Sequence, residues 1–164
     1  MALVKYNNNS ISDVTALASV PAGALTHIKT LTASSSSTLS FVDGSSDVVL
    51  DNTYPVYLFK FINIHPQTNT TKLQINASAD SGSNYNVTKT TTYFQAYHTE
   101  SDSATALSYY ANRDLAQSTS AQQLKDIGNT SDDSAAGTLH LFNPSSTTFV
   151  KHFISTFTGP TGES

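Results

Sequence analysis

Cysteine and tryptophan are both absent from these 164 residues. Without cysteine there are no disulfide staples and no thiolate metal sites, so the fold rests on burial and hydrogen bonding. A chain of this length can bury about 70% of its unfolded surface as one domain, which makes a staple unnecessary. Charge is scarce as well. Asp, Glu, Lys and Arg make up 12% of the sequence, about half the usual share. Arg113 is the single arginine and the net charge is −4. Nucleic acid, which is held by clustered basic side chains, is therefore not an expected partner. Long apolar runs are missing too: none approaches the roughly 20 residues that span a bilayer. The opening Met1 to Tyr6 breaks into Asn7-Asn8-Asn9 too early for a secretory signal. No membrane partner is expected.

Ser and Thr fill the space that charge leaves, with 24 and 23 copies. Short hydroxyl side chains lose little entropy when ordered, which suits a rigid β-protein. Lys72 to Ala79 alternates, with Leu73, Ile75, Ala77 and Ala79 on one face. Pro55 to Ile64 sets Tyr57, Phe59 and Phe61 against Val56, Leu58, Ile62 and Ile64. A strand apolar on both faces belongs in the middle of a sandwich or at a subunit interface. Thr38 to Val42, Val48 to Leu50, Val87 to His98, Gly137 to Phe142 and Thr147 to Phe157 read as further β-type segments. Turns are expected at Asp43-Gly44-Ser45-Ser46, Pro66 to Asn69, Asp80 to Asn84 and Asn143-Pro144-Ser145-Ser146.

Helix is sparse. Ser12 to Ser19 reads as a short one, stopped before Pro21. Ser120-Ala121-Gln122-Gln123 has the form of a capping box, so a helix over Leu124 and Ile127 is favoured over an edge strand. The expected fold is all-β: an antiparallel β-sandwich, jelly-roll-like, over residues 25–158. Its core is drawn from Tyr57, Phe59, Phe61, Leu73, Ile75, Leu139, Leu141, Phe149 and Phe153. Residues 1–24 hold Leu3, Val4, Tyr6, Ile11, Val14 and Leu17 without the alternation of later strands. They read as an N-terminal arm and candidate anchor, ordered only against a partner. Residues 159–164 form a Gly/Pro-containing tail of two G-X-Y triplets, which reads as a glycine-proline turn, with the start of a collagen-like stalk as the alternative.

Chemistry-bearing patterns are weak. His27, His65, His98, His140 and His152 lie far apart, with no H-x-H or H-x-x-x-H pair. They read as hydrogen-bonded or solvent-facing imidazoles, with trimer-axis histidines as the metal alternative. No G-x-S-x-G elbow marks a nucleophilic serine. Glu100 and Glu163 are the only glutamates, and Asp43, Asp80, Asp132 and Asp133 sit in turn contexts, where short carboxylates bond nearby amides. Asp43, Asp47 and Asp51 lack the spacing of an EF-hand loop. Five glycosylation sequons occur at close to their chance frequency and carry no inference. No enzyme activity, metal or cofactor is expected.

The tyrosines are more informative. Tyr85, Tyr93, Tyr97, Tyr109 and Tyr110 are the candidate contacts, because a ring buries area while its hydroxyl bonds at one end. Subunit contact is favoured over sugar contact, since sugar platforms more often include tryptophan.

Several stretches carry a resemblance: Tyr57 to Pro66, Asp80 to Asn86, Tyr93 to His98, Gly137 to Ser146, and the opening Lys5 to Ile11. In this order they are similar to a family of virion proteins from marine and cyanobacterial tailed phages, over nearly the whole chain. The family resembles tail-fibre and capsid-decoration proteins, and it supplies no catalytic residue to carry over. Members are expected to add further strands and a sheet-closing segment after Phe157. The resemblance implies a structural subunit of the virion, a homo-oligomer with the trimer favoured, docked on other virion proteins of capsid or tail. A carbohydrate-binding module that meets a host-surface glycan is the alternative, and a hydrolase with paired carboxylates comes third.

Overall fold

The computed structural model describes residues 25–160. Its seven strands are β1 Val56–Ile64, β2 Thr71–Ile75, β3 Phe94–His98, β4 Thr105–Tyr109, β5 Gln122–Ile127, β6 Ala135–Phe142 and β7 His152–Thr158. All strand pairs are antiparallel. Among the described residues the one helical element is a 3-10 turn, Ala111–Arg113. The fold is all-β and sandwich-like, as alternation and turn spacing predict. Its strands form a three-stranded sheet in the order β1-β6-β7 and two ribbons, β2-β5 and β3-β4. The expected arm of residues 1–24, with its Ser12 to Ser19 helix, lies outside the described residues, as does the tail beyond Pro160.

Period-2 alternation builds the inner face of the main sheet. Tyr57, Phe59 and Phe61 of β1 stand opposite Leu141, Leu139 and Gly137 of β6, and these face Phe153, Ser155 and Phe157 of β7. Tyr57 and Leu139 are buried, and the Tyr57 hydroxyl donates to the Asp51 carbonyl at 3.0 Å. Phe59 meets Phe41 edge-on at 5.5 Å between ring centroids. Gly137 is required by close approach. The rings of Phe61 and Phe157 lie 5.0 Å apart beside it, and a Cβ there would stand 2.4 Å from the Phe157 ring. The β1 register shifts between Phe61 and Ile64, where Asn63 takes a φ of 52°. Asn tolerates this left-handed bulge geometry better than most residues.

The ribbon β2-β5 lies against the main sheet through β5 and β7. Here the expected helix over Ser120 to Ile127 is corrected: Gln122–Ile127 is a strand, and all six of its residues are buried. Four of the six are polar. A helix would satisfy their backbone but not their side chains, whereas the strand places each polar side chain beside a fixed partner. The Gln122 amide donates to the carbonyls of Arg113 and Gln123, and the Gln123 amide to the Asp126 carboxylate at 2.8 Å. The Lys125 ammonium donates to the Pro160 carbonyl at 3.3 Å, tying the end of β7 to the body. Burial pushes the Lys125 ammonium below its ordinary pKa, with Asp126 opposing and Arg113 adding to the shift.

Three further expectations change. Phe149 is 72% exposed and not in the core. The Ser146 hydroxyl accepts the amides of Thr148 and Phe149, holding a turn that delays the strand to His152. Thr38 to Val42 and Val48 to Leu50 form no strand, although Phe41 and the buried Val48 still pack inward. Of Val87 to His98 only Phe94–His98 forms a strand, and β1, apolar on both faces, lies at an edge of its sheet among the described residues.

Candidate assembly surface

The hairpin β3-β4 stands on a base built around the chain's single arginine. Arg113 ends the 3-10 turn that follows β4, and its guanidinium carbon lies 5.1 Å from the Tyr93 ring centroid and 4.8 Å from that of Tyr110. Those two rings meet edge-on at 6.1 Å. One guanidinium nitrogen donates to the Tyr93 hydroxyl and the Gln95 side-chain oxygen, both at 3.2 Å, and the other pairs with Asp126 on β5 at 2.6 Å. The two charged side chains are 20% and 11% exposed, so this ion pair works in a partly dry site. Thr91 adds a second tie. Its amide donates to the Leu115 carbonyl, and its hydroxyl donates to the Gln122 side chain while accepting from the Leu115 amide. Delocalised charge, a planar fork of donors and two flat faces that stack on aromatic rings are what arginine offers and lysine lacks. The base thus couples the hairpin to the buried polar strand.

Beyond this base the hairpin has no neighbouring strand among the described residues. Its register pairs Phe94 with Tyr109, Ala96 with Leu107 and His98 with Thr105 on one face. That face is open throughout: Phe94 is 72% exposed, Leu107 75% and Tyr109 62%. The opposite face carries Gln95, Ser108, Tyr97 and Ala106 and is mostly half-buried. The tip is held by Thr99, whose hydroxyl accepts the amides of Ser103 and Ala104. His98 and Asp102 pair across it at 2.8 Å in solvent. At the other end the Tyr109 hydroxyl donates to the Asp114 carboxylate, and this bond raises the phenol above its ordinary pKa. The second Asp114 oxygen is buried with no partner.

A second apolar face lies on the outside of the main sheet. Val56, Phe142 and His152 form one row and Leu58, His140 and Ile154 the next. His140 stacks on Phe142 at 6.4 Å between ring centroids. Ile154 and, further along β1, Ile62 are exposed. Leu139 is buried on the inner face and His140 projects to the outer one, as their adjacency in the strand dictates.

The five candidate tyrosines do not share one surface. Tyr93 and Tyr110 are half-buried around Arg113, while Tyr109 and Tyr97 lie on opposite faces of the hairpin. Tyr85 belongs to the Asp80 loop, with its carbonyl accepting from the Asn76 amide. The candidate anchor residues Leu3, Val4, Tyr6, Ile11, Val14 and Leu17 lie outside the described residues. The Asp43 carboxylate accepts the Leu50 amide, and that of Asp51 accepts the Thr53 amide, both at 2.8 Å. His65 bonds the Asp133 carbonyl and His27 the Thr30 hydroxyl. Among the described residues no three His, Asp or Glu side chains gather as a metal site. Sequence reasoning missed β4, and with it Phe94 and Leu107 as a cross-strand face. The alternation of Thr105, Leu107 and Tyr109 against Ala106 and Ser108 is the signal that would have found it.

No protein-family model, curated protein or solved structure matches the chain.

Proposed function

We propose that this chain is a non-enzymatic structural subunit of a bacteriophage virion, a capsid decoration or tail-appendage piece that acts by joining copies of itself and other virion proteins. One observation carries the assembly reading: large apolar side chains stand on open sheet faces while the most completely buried strand is polar. Monomeric soluble proteins rarely leave contiguous apolar patches beyond a few hundred Å² uncovered. Burial that a lone subunit leaves undone is done by neighbours, and a jelly-roll-like sandwich is what such an assembly completes. The phage assignment rests on the resemblance of the motifs from Lys5 to Ser146 to virion proteins. Immunogold imaging of intact phage particles with an antibody against this chain tests the reading, alongside native mass spectrometry of the purified protein. Regular labelling of head or tail and a homo-oligomer are expected. A monomer at all concentrations, with no label on particles, overturns it.

A further inference from the structure

We infer that the open face of the β3-β4 hairpin, with Phe94, Ala96, Leu107 and Tyr109 at its centre, is where one copy of this chain packs against the same face of another. The inference rests on the assembly reading above and names its surface. An isolated two-stranded hairpin is marginally stable in water, and among the described residues this one has no third strand and is tied to the body at its base. Something must cover it. Its three large side chains are 62% to 75% exposed, which leaves on the order of 400 Å² of mostly apolar area. With Ala96, His98 and Thr105 the face offers roughly 500 Å², so two copies bury about 1,000 Å², the threshold for a specific interface.

The chemistry of the face favours a copy of itself over another partner. Phe94, Ala96, Leu107, Tyr109 and Thr105 carry no formal charge, and His98 at the far end is paired with Asp102. Placing the face against itself therefore opposes no like charges. Its relief is self-complementary as well. Ala96 is the one small side chain on β3's share of the face, and its cross-strand partner is Leu107. When two such faces meet with β3 over β4, Leu107 of each copy fills the dent at the other's Ala96, and Phe94 lies over Tyr109. An isologous contact of this kind uses one surface twice.

A cysteine-free chain makes the test direct. Leu107→Cys, in the full chain, is treated with a short bis-maleimide, and Ile154→Cys on the outer face of the main sheet is treated in parallel. Crosslinked dimer is expected from the first variant and not the second. Leu107→Lys should weaken self-association about 100-fold or more, because each copy then sets a buried ammonium against the other. Ile154→Lys should leave it unchanged, with far-UV circular dichroism reporting that both variants stay folded. Crosslinking and dissociation that follow Ile154 instead overturn the hairpin as the interface while leaving the assembly reading in place. A wild-type chain that is monomeric at every concentration overturns the hairpin self-contact, and only together with unlabelled particles does it overturn the assembly reading as well. A Leu107→Lys variant that unfolds leaves the crosslinking result to decide.

Discussion

Replacing Arg113 by alanine should cost more stability than any other single truncation at the hairpin base. The substitution removes one partner of a pair in which Asp126 is 11% exposed, leaving its carboxylate with the Gln123 amide alone. Breaking a buried pair in this way costs about 3–5 kcal/mol, and the residual exposure of Arg113 places this one near the lower end. Loss of the two ring contacts at 5.1 and 4.8 Å adds about 0.5–1 kcal/mol each. The sum, about 4 kcal/mol, is a large part of the 5–15 kcal/mol that holds a typical domain together. For a chain of this size it corresponds to a Tm lowered by about 10 °C. Urea denaturation followed by tyrosine fluorescence measures it, since no tryptophan obscures the signal. Arg113→Lys keeps the charge but not the fork or the stacking, and should recover about half of the loss. An Arg113→Ala protein within about 1 kcal/mol of wild type would refute the clamp.

Other expectations are smaller or more local. Gly137→Ala puts a Cβ 2.4 Å from the Phe157 ring and 2.5 Å from the Thr156 carbonyl oxygen, so backbone must shift. A loss of about 2–3 kcal/mol is expected from the urea midpoint, and a change below about 0.5 kcal/mol would show that the sheet accommodates it. In the Asp80 loop the carboxylate accepts from Ser78, the Asn84 amide and the Asn84 side chain, and these bonds lower its pKa to about 2. A depressed carboxyl stabilises the fold fully above its unfolded value of 3.8 and loses that contribution as pH falls through about 2. A carboxyl-detected NMR titration of Asp80 with its midpoint near 4 would contradict the loop geometry.

Much of the fold was legible because β-strands declare themselves by alternation. Tyr57, Phe59, Leu139 and Leu141 alternate with outward neighbours, and they meet across β1 and β6 in the register that this pattern implies. Turn chemistry was equally readable at Asp80 to Asn84 and at Asn143 to Ser146. The polar strand β5 was not. Gln122, Gln123, Lys125 and Asp126 are buried by partners as distant in sequence as Arg113 and Pro160, and no local pattern reports such pairings. Helix signals in Ser120 to Gln123 were real but weak, and tertiary context overrode them. Phe149 misled for a similar reason: its apolar character said "core", while the Ser146 turn beside it kept it outside. Phe94 and Leu107 became a candidate site only once the register paired their strands.

A chain that keeps a polar strand inside and leaves Phe94, Leu107 and Tyr109 outside should owe part of its stability to its own concentration. The open hairpin face contributes little while it faces water, and it contributes fully only when a second copy covers it. Folding coupled to association follows mass action, so each tenfold rise in protein concentration stabilises a protomer by about 0.7–0.9 kcal/mol in a dimer or trimer. At this chain length that raises Tm by about 2–3 °C per decade of concentration. Between about 1 and 100 μM the melting curve should therefore move up by roughly 5 °C. A dye that fluoresces on exposed apolar surface should bind more per subunit at the dilute end. Leu107→Lys separates this from ordinary aggregation: the variant should melt at one temperature across the range and bind dye throughout. A wild-type Tm that does not move over two decades, with dye binding equally flat, would mean that the exposed faces are tolerated by the isolated subunit, and the physical case for assembly would fall with that result.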